Sequence, residues 1–356
     1  MAESQAVPSN LRNASELSYR ELGQIDRDRT IAFCAVSALE VHGPHLPIGS
    51  DLHQAEWMAD ETARRFAERH PDWLVLRYPS LPLGTDELPL PGSMSSPART
   101  VYRAVRAFGE SLARAGLRYI VVTNAHGGPR HAAALEAASR RVSKRRGIAM
   151  IAPSIRALHK LVSGTALDQV EDYLGRPLSP EERQGATSGE HAGTWETAWY
   201  LARHPEWVDP GWKDLGLEVP PAWRPLERLA GWLERRAKRA SAPAADSGGR
   251  LPSHEVVRSL AEGVGWLLNT RFGYGRPGPP VSYHGWPGIA SADLGAAYAE
   301  LPVRMCLEDV EAVTAGRVDP SEIRSIASDP ILIQPGAVGA LLFGLAMIAA
   351  LVLLAL

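Results

Sequence analysis

Glu40, His42 and Asp51 lie together in the stretch Glu40-Val-His42-Gly-Pro-His45-Leu-Pro-Ile-Gly-Ser-Asp51, directly after the apolar run Ile31 to Val36. Carboxylate oxygens and imidazole nitrogens in one short segment are the donor set of zinc or manganese, and suit a hydrolytic metal site. An isolated Glu-x-His pair is more often two solvated loop groups. The whole string is more specific, because Gly43, Pro44 and Pro47 bend the chain and keep acid and imidazole together. The apolar run reads as a buried strand, and open α/β sheets carry their sites at the carboxyl ends of strands.

Three later segments extend the pattern: Asn124-Ala-His126-Gly-Gly, His191-Ala-Gly-Thr-Trp195-Glu196-Thr, and Gly285-Trp-Pro287-Gly288-Ile-Ala290 followed by Gly295. With the first string they resemble the ordered motifs of the creatininase (creatinine amidohydrolase) family, from about Ser18 to about Gly316. The resemblance implies two divalent ions per chain (Zn2+, Mn2+ or Fe2+) sharing a bridging aspartate at Asp51. Glu40 and His126 would complete one ion's protein shell, and His42 would bind the other. Creatininase itself has a glutamate two residues after the histidine matching His126, where this chain has Gly128. Glu196 is therefore the expected fifth ligand, and its ordinary alternative is an acid favoured by the positive end of a helix. His191 is expected to supply a proton to the departing amine or to bind substrate, the alternative being a packing histidine beside Gly193. Glu87 and Trp195 are expected substrate contacts. His45 is expected to hold its turn rather than a metal. Many relatives have a histidine after the glutamate matching Glu87; this chain has Leu88, so that substrate contact is missing. A homohexamer is also implied by resemblance.

Strand and helix patterns alternate around these segments, which predicts a mostly parallel sheet in a helix–sheet–helix sandwich; the resemblance implies the same. The expected helices are His53–Arg69, a helix capped by Ser96-Pro97 and stopped at Gly116, and His131–Lys144; the expected strands are Trp73–Tyr78, Tyr119–Thr123 and Ile148–Ala152. A short helix is expected over Ala198–Ala202.

The 356 residues suffice for one large α/β core with insertions, and a net charge of −2 gives no reason to expect a nucleic-acid partner. Two cysteines, Cys34 and Cys306, rule out a disulfide scaffold and favour a reducing compartment. The first thirty residues lack an apolar signal core. Residues 335–356 run without a charge, and as a helix would span roughly 33 Å, close to the hydrocarbon thickness of a bilayer. The expected organisation is a flexible terminus over 1–17, a metallohydrolase domain over 18–316 with an insertion at about 208–280, a linker over 317–334, and a single-pass transmembrane helix over 335–356 with the catalytic domain cytoplasmic. Within the insertion, Leu226, Leu229 and Leu233 share a helical face, and Arg235, Arg236, Lys238 and Arg239 follow. This reads as an amphipathic element that packs on the protein or lies on a membrane. Three functions fit: an amidohydrolase acting on a small cyclic or linear amide or a formamide, a metallopeptidase acting on a short peptide as in mycofactocin maturation, and a membrane scaffold without catalysis. The complete donor set disfavours the last.

Overall fold

A computed structural model describes residues 7–188, 190–219, 222–239 and 282–325, with single positions at 261, 265, 268 and 344. The chain divides into two compact units, Met1–Leu217 with Ser282–Gln334, and Glu218–Val281 with Pro335–Leu356.

The first unit is built on a parallel sheet. Strand β2 (Thr30–Ser37) lies in the middle, with all eight residues buried, because helices cover both of its faces. The order is β1 (Leu11–Asn13), β3 (Leu74–Arg77), β2, β5 (Tyr119–Thr123) and β6 (Ala149–Ile151), and the short β4 (Leu81–Pro82) pairs with the end of β2. Every pairing is parallel, with Ala35 opposite Thr123 in the β2–β5 register. Residues of β2 alternate between two cores, as a two-residue period requires. Ile31 and Phe33 face Phe66 of α2 (Ser50–Arg69) and Leu307 and Val310 of the C-terminal helix Ala292–Thr314. Ala32, Cys34 and Val36 face Val101 and Val105 of α3 (Ala98–Arg114) and Ala134 and Ala138 of α4 (Pro129–Arg146). The helices that follow the adjacent strands β2 and β5 thus lie on opposite faces. The carboxyl ends of β2 and β5 lie where the chain changes direction across the sheet, the usual place for a site in an open α/β fold.

Helices α5 (Ser154–Val162), α6 (Leu167–Leu174), α7 (Pro180–Thr187) and α8 (Thr194–Arg203) share a further core, which includes Leu161, Trp195, Tyr200, Tyr298 and Leu301. After α9 of the second unit (Arg224–Arg239), the helix Ala292–Thr314 becomes α10. It approaches α8 very closely: a Cβ on Gly295 would stand 1.8 Å from the Ala198 carbonyl oxygen.

Four sequence expectations change. Leu11–Asn13, within the stretch read as a flexible terminus, is the edge strand paired with β3. Helix α2 begins at Ser50 rather than His53, so Asp51 sits in a first helical turn and not in a loop. Helix α8 begins at Thr194 rather than Ala198, which brings Glu196 into its first turn. The long α10, which contains Pro302, had no counterpart in the sequence reading.

In the second unit, Leu226 of α9 packs with Ala261, and the Trp223 N–H donates to the Ala261 carbonyl at 2.7 Å. One apolar face of this amphipathic helix therefore meets protein. Among the described residues no helix is long and apolar enough to cross a membrane. The segment 335–356, read as a transmembrane helix, lies outside the described residues except for Gly344.

The close crossing of α8 and α10 gives a direct test. Gly295→Ala should force the two helices apart and destabilise the protein by about 1–3 kcal/mol, the usual range for overpacking. A lowered urea midpoint is the expected reading, and an unchanged one would mean the crossing tolerates a methyl group.

Candidate metal centre

Five side chains from four places in the chain meet at the carboxyl ends of β2 and β5. Glu40 and His42 follow the carboxyl end of β2, His126 follows β5, Asp51 lies in the first turn of α2, and Glu196 in the first turn of α8. The Glu40 Oε2 and Asp51 Oδ2 atoms each lie 3.1 Å from His126 Nδ1. The other Asp51 oxygen, Oδ1, lies 3.3 Å from His42 Nε2, which is 3.5 Å from Glu196 Oε2. Two trios of donors result, Glu40–Asp51–His126 and His42–Asp51–Glu196, with Asp51 giving one oxygen to each. All five residues are buried, none more than 6% exposed.

The fit to metal is chemical as well as geometric. A tetrahedron with bonds of about 2.0–2.2 Å has edges of about 3.3–3.6 Å, near the donor spacings seen here. Glu40 Oε2, His42 Nε2 and Asp51 Oδ2 are buried without a hydrogen-bond partner. Such atoms are costly unless a cation meets them. Each imidazole is also held from behind. His42 Nδ1 contacts the Glu40 carbonyl at 3.0 Å, and His126 Nε2 contacts the Thr85 carbonyl at 2.9 Å. An N–H donated to a carbonyl leaves the opposite nitrogen facing the carboxylates, the arrangement that orients metal-binding histidines.

Electrostatics agree. Burial alone would lower the His42 pKa, but Asp51 and Glu196 hold it well above the ordinary imidazole range. Burial opposes, and Glu40 and Asp51 overcome, the same rise at His126. Asp51 responds in the other sense: burial would raise its pKa, while His42 and His126 draw it well below the usual value. Without metal, protonated imidazoles serve as the counter-charges.

The surrounding groups divide into supports and neighbours. Asn124 braces the His126 turn, its Nδ2 donating to the His126 carbonyl at 2.8 Å and its Oδ1 accepting from the His126 N–H at 3.0 Å. His191 sits beside His42 with ring centroids 4.3 Å apart; its Nε2 contacts the Val41 carbonyl at 2.8 Å, and its Nδ1 is 3.9 Å from Glu40 Oε2. It belongs to the centre, and Glu40, His42 and His191 form a third group of convergent donors. His45 does not: its Nε2 pairs with Thr197 Oγ1 at 2.8 Å, and burial followed by repulsion from His42 lowers its pKa to about 4. Glu87 is buried near His126 and Glu40, and burial raises its pKa. The next residue, Leu88, gives its N–H to Glu40 Oε1 at 2.5 Å. Trp195, expected to contact substrate, is fully buried, stacks on Tyr298 at 5.2 Å and donates its Nε1–H to the Ala186 carbonyl at 3.1 Å, so it packs the core.

Gly128 is explained by close approach. A Cβ there would lie 2.5 Å from His126 Nε2 and 2.7 Å from the Thr85 carbonyl oxygen, so no ligating side chain fits at that position in this backbone. The carboxylate that stands beside His42 and Asp51 is Glu196 of α8, whose Oε2 accepts from the Ala192 N–H at 2.5 Å. Ala192 takes a left-handed backbone conformation, φ 50°, at a cost of roughly 1–2 kcal/mol. Three residues escaped the sequence reading. Glu190 accepts from the start of α8. His284 pairs main chain to main chain with His191, at 3.0 and 2.7 Å. His131 sets its ring edge-to-face on His126, 5.3 Å away. Position next to His191 is the sequence signal for Glu190, and spacing five residues after His126 is that for His131; the His284 contact is distant in sequence and leaves no local pattern.

The chain resembles solved creatininase structures in fold. A mutant creatininase of "Zn-Zn type" is 17% identical, with a TM-score of 0.53 over 86% of this chain and 98% of that one. A structure described as "Creatininase Mn" is 18% identical, TM-score 0.53, over 87% and 99%. A creatinine amidohydrolase (creatininase) is 20% identical, TM-score 0.53, over 87% and 98%. No curated protein matches in sequence. The family model for creatinine amidohydrolase matches residues 15–308, most of the chain and all five donors. With that match on top of the shared fold, the chain belongs to the creatininase family, metal-dependent hydrolases acting on carbon–nitrogen bonds.

Proposed function

We propose that this protein is a dinuclear-metal amidohydrolase that opens a small cyclic or linear amide, creatinine-like or a formamide, by attack of water. The observation that carries this reading is the pair of donor trios sharing Asp51. Two divalent ions, Zn2+, Mn2+ or Fe2+, held by Glu40–Asp51–His126 and His42–Asp51–Glu196, would polarise the amide carbonyl and bring a water's pKa toward neutrality. The protein's own part is to fix the donors, exclude water and move a proton. His191 stands beside the donors with one ring nitrogen fixed on the Val41 carbonyl and the other turned toward Glu40. From there it passes a proton to the amine as the carbon–nitrogen bond breaks. Glu87, buried close by, supplies a polar wall for the substrate.

Asp51→Ala should remove both ions, because one carboxylate serves both trios, whereas Glu196→Gln should weaken one ion and abolish turnover. Metal analysis of the purified variants, with an activity screen over lactams, formamides and short peptides, gives the answer. Two tightly held ions in the Asp51 variant would refute the shared aspartate.

Protons and metal compete for the same nitrogens. His42 and His126 have pKa values raised above the ordinary range, so the metal-free centre holds protons on them at neutral pH. Metal binding must release those protons, and affinity must therefore rise with pH and fall in acid. Calorimetric titration in buffers of different ionisation enthalpy should detect about one proton released per ion bound. Uptake without proton release would show that both imidazoles are already neutral.

We also propose that residues 335–356 anchor the chain in a membrane, with the catalytic unit on the cytoplasmic side. What supports this is their uncharged, apolar sequence, long enough as a helix to cross the hydrocarbon layer. The full chain should resist carbonate extraction, and deletion after Asp329 should leave a soluble, active enzyme. Release of the full chain by carbonate would remove the anchor from the reading.

A further inference from the structure

The loop Glu190–Glu196 carries two members of the centre, His191 and Glu196, and a second carboxylate, Glu190, shapes it. Helix α8 starts after Gly193, which has no side chain to cap it. The first turn of a helix leaves main-chain N–H groups open. Here Glu190 takes them. Its Oε1 accepts from Gly193 N and Glu196 N, both at 3.0 Å, and its Oε2 accepts from Trp195 N at 3.3 Å. The carboxylate of Glu190 thus closes the loop on itself. Between its two ends Ala192 is held left-handed, with its N–H on Glu196 Oε2, and His191 is pinned to His284 through the main chain. A Cβ on Gly193 would lie 2.9 Å from Glu190 Oε2 and 2.6 Å from the His284 carbonyl oxygen, so the loop is packed around this acid.

We propose that Glu190 is a positioning residue for the second metal: by gathering three N–H groups of the α8 start, it holds Ala192 in its strained conformation and so aims Glu196 at His42. This rests on Glu196 being a metal donor, as argued above. Glu190 itself touches neither substrate nor metal. It sets the direction of the carboxylate that does. Released from Glu190, Ala192 relaxes to a negative φ, its N–H leaves Glu196, and the His42–Asp51–Glu196 trio loses one member. The Glu40–Asp51–His126 trio meets this loop only through His191, which the Val41 carbonyl and the main-chain pair with His284 hold independently of Glu190, so it keeps its geometry.

The test is titration of the full chain, in mild detergent, with Zn2+ against a chelating indicator, comparing wild type, Glu190→Ala, Glu190→Gln and Glu196→Gln. Loss of an orienting partner typically costs 10–100-fold in metal affinity, so Glu190→Ala should weaken one of two ions by about that factor and leave the other unchanged. Glu190→Gln keeps an oxygen for Gly193 and Glu196 and should restore most of the loss. The proposal falls if Glu190→Ala binds both ions as wild type does, if it weakens both alike, or if the glutamine variant is as weak as the alanine one. Glu196→Gln separates the two claims. If it loses one ion while Glu190→Ala loses none, positioning fails and the metal centre stands; if it too keeps both, the assignment of Glu196 fails. Should Glu190→Ala not fold, Glu190→Asp serves, because its shorter side chain cannot reach all three N–H groups. A folded aspartate variant with both affinities intact would overturn the proposal.

Discussion

The structure depends on one buried carboxylate seen from two sides. Asp51 gives one oxygen to the neighbourhood of His126 and the other to that of His42, at 3.1 and 3.3 Å. Glu40 and Glu196 complete a cluster of three acids buried from bulk solvent. Three carboxylates in so small a volume repel one another by more than two neutral imidazoles can offset. Something positive has to be present, either protons on the histidines or metal ions. Two divalent cations bring four positive charges against three negative ones, and it is the two donor trios, not the charge balance, that give each ion its own set of ligands.

The fold meets this demand with main-chain dipoles and strand ends. Asp51 and Glu196 both lie in first helical turns, where the helix end favours negative charge. Glu40 and His126 follow the adjacent central strands β2 and β5, whose register puts Ala35 opposite Thr123. Sheet and helices therefore deliver charges to one place from two directions, and among the described residues the left-handed non-glycine positions are Ala192 and Asp86, which has φ 77°. Asp86 is itself tied to the start of α4, accepting from the Arg130 N–H at 2.7 Å and from the Arg130 guanidinium. Backbone conformations of this kind persist where their surroundings over-determine them.

Much of this was legible in sequence because the chemistry is local there. The segment Glu40 to Asp51 states three of five donors within one turn of chain, and the apolar run before it is the central strand. Tyr119–Thr123 is legible with its observed bounds because an aromatic and β-branched run stands between Arg118 and Asn124. Helix starts were placed too late, at α2 and α8 alike. Gly49 and Gly193 make no side-chain cap, so the usual start signals are missing, and the capping group at α8 is Glu190, which the sequence places before the loop. Trp195 lies between His191 and Glu196 in sequence, yet its ring stacks on Tyr298 in the core, a packing partner that the local sequence does not show. Periodicity also gave no notice of α10, where apolar residues surround the helix almost evenly because it is buried between α2, α5 and α8.

The exchange of a ligand position has a structural consequence. A carboxylate at position 128 would reach the centre from the same turn as His126, and would depend only on the β5 edge. Gly128 removes that option, since even a Cβ there meets His126 and Thr85. Taking the donor from Glu196 makes the centre depend on α8, on the crossing of α8 over Gly295 of α10, and on a loop closed by Glu190. Metal held by these residues would tie the sheet edge to the helical layer formed by α5 to α8. A ligand that binds only the folded arrangement stabilises it by mass action. Occupancy of the His42–Asp51–Glu196 trio and the docking of α8 onto α10 must therefore rise and fall together, so that disturbing the helix crossing weakens one ion and leaving that ion out loosens the crossing.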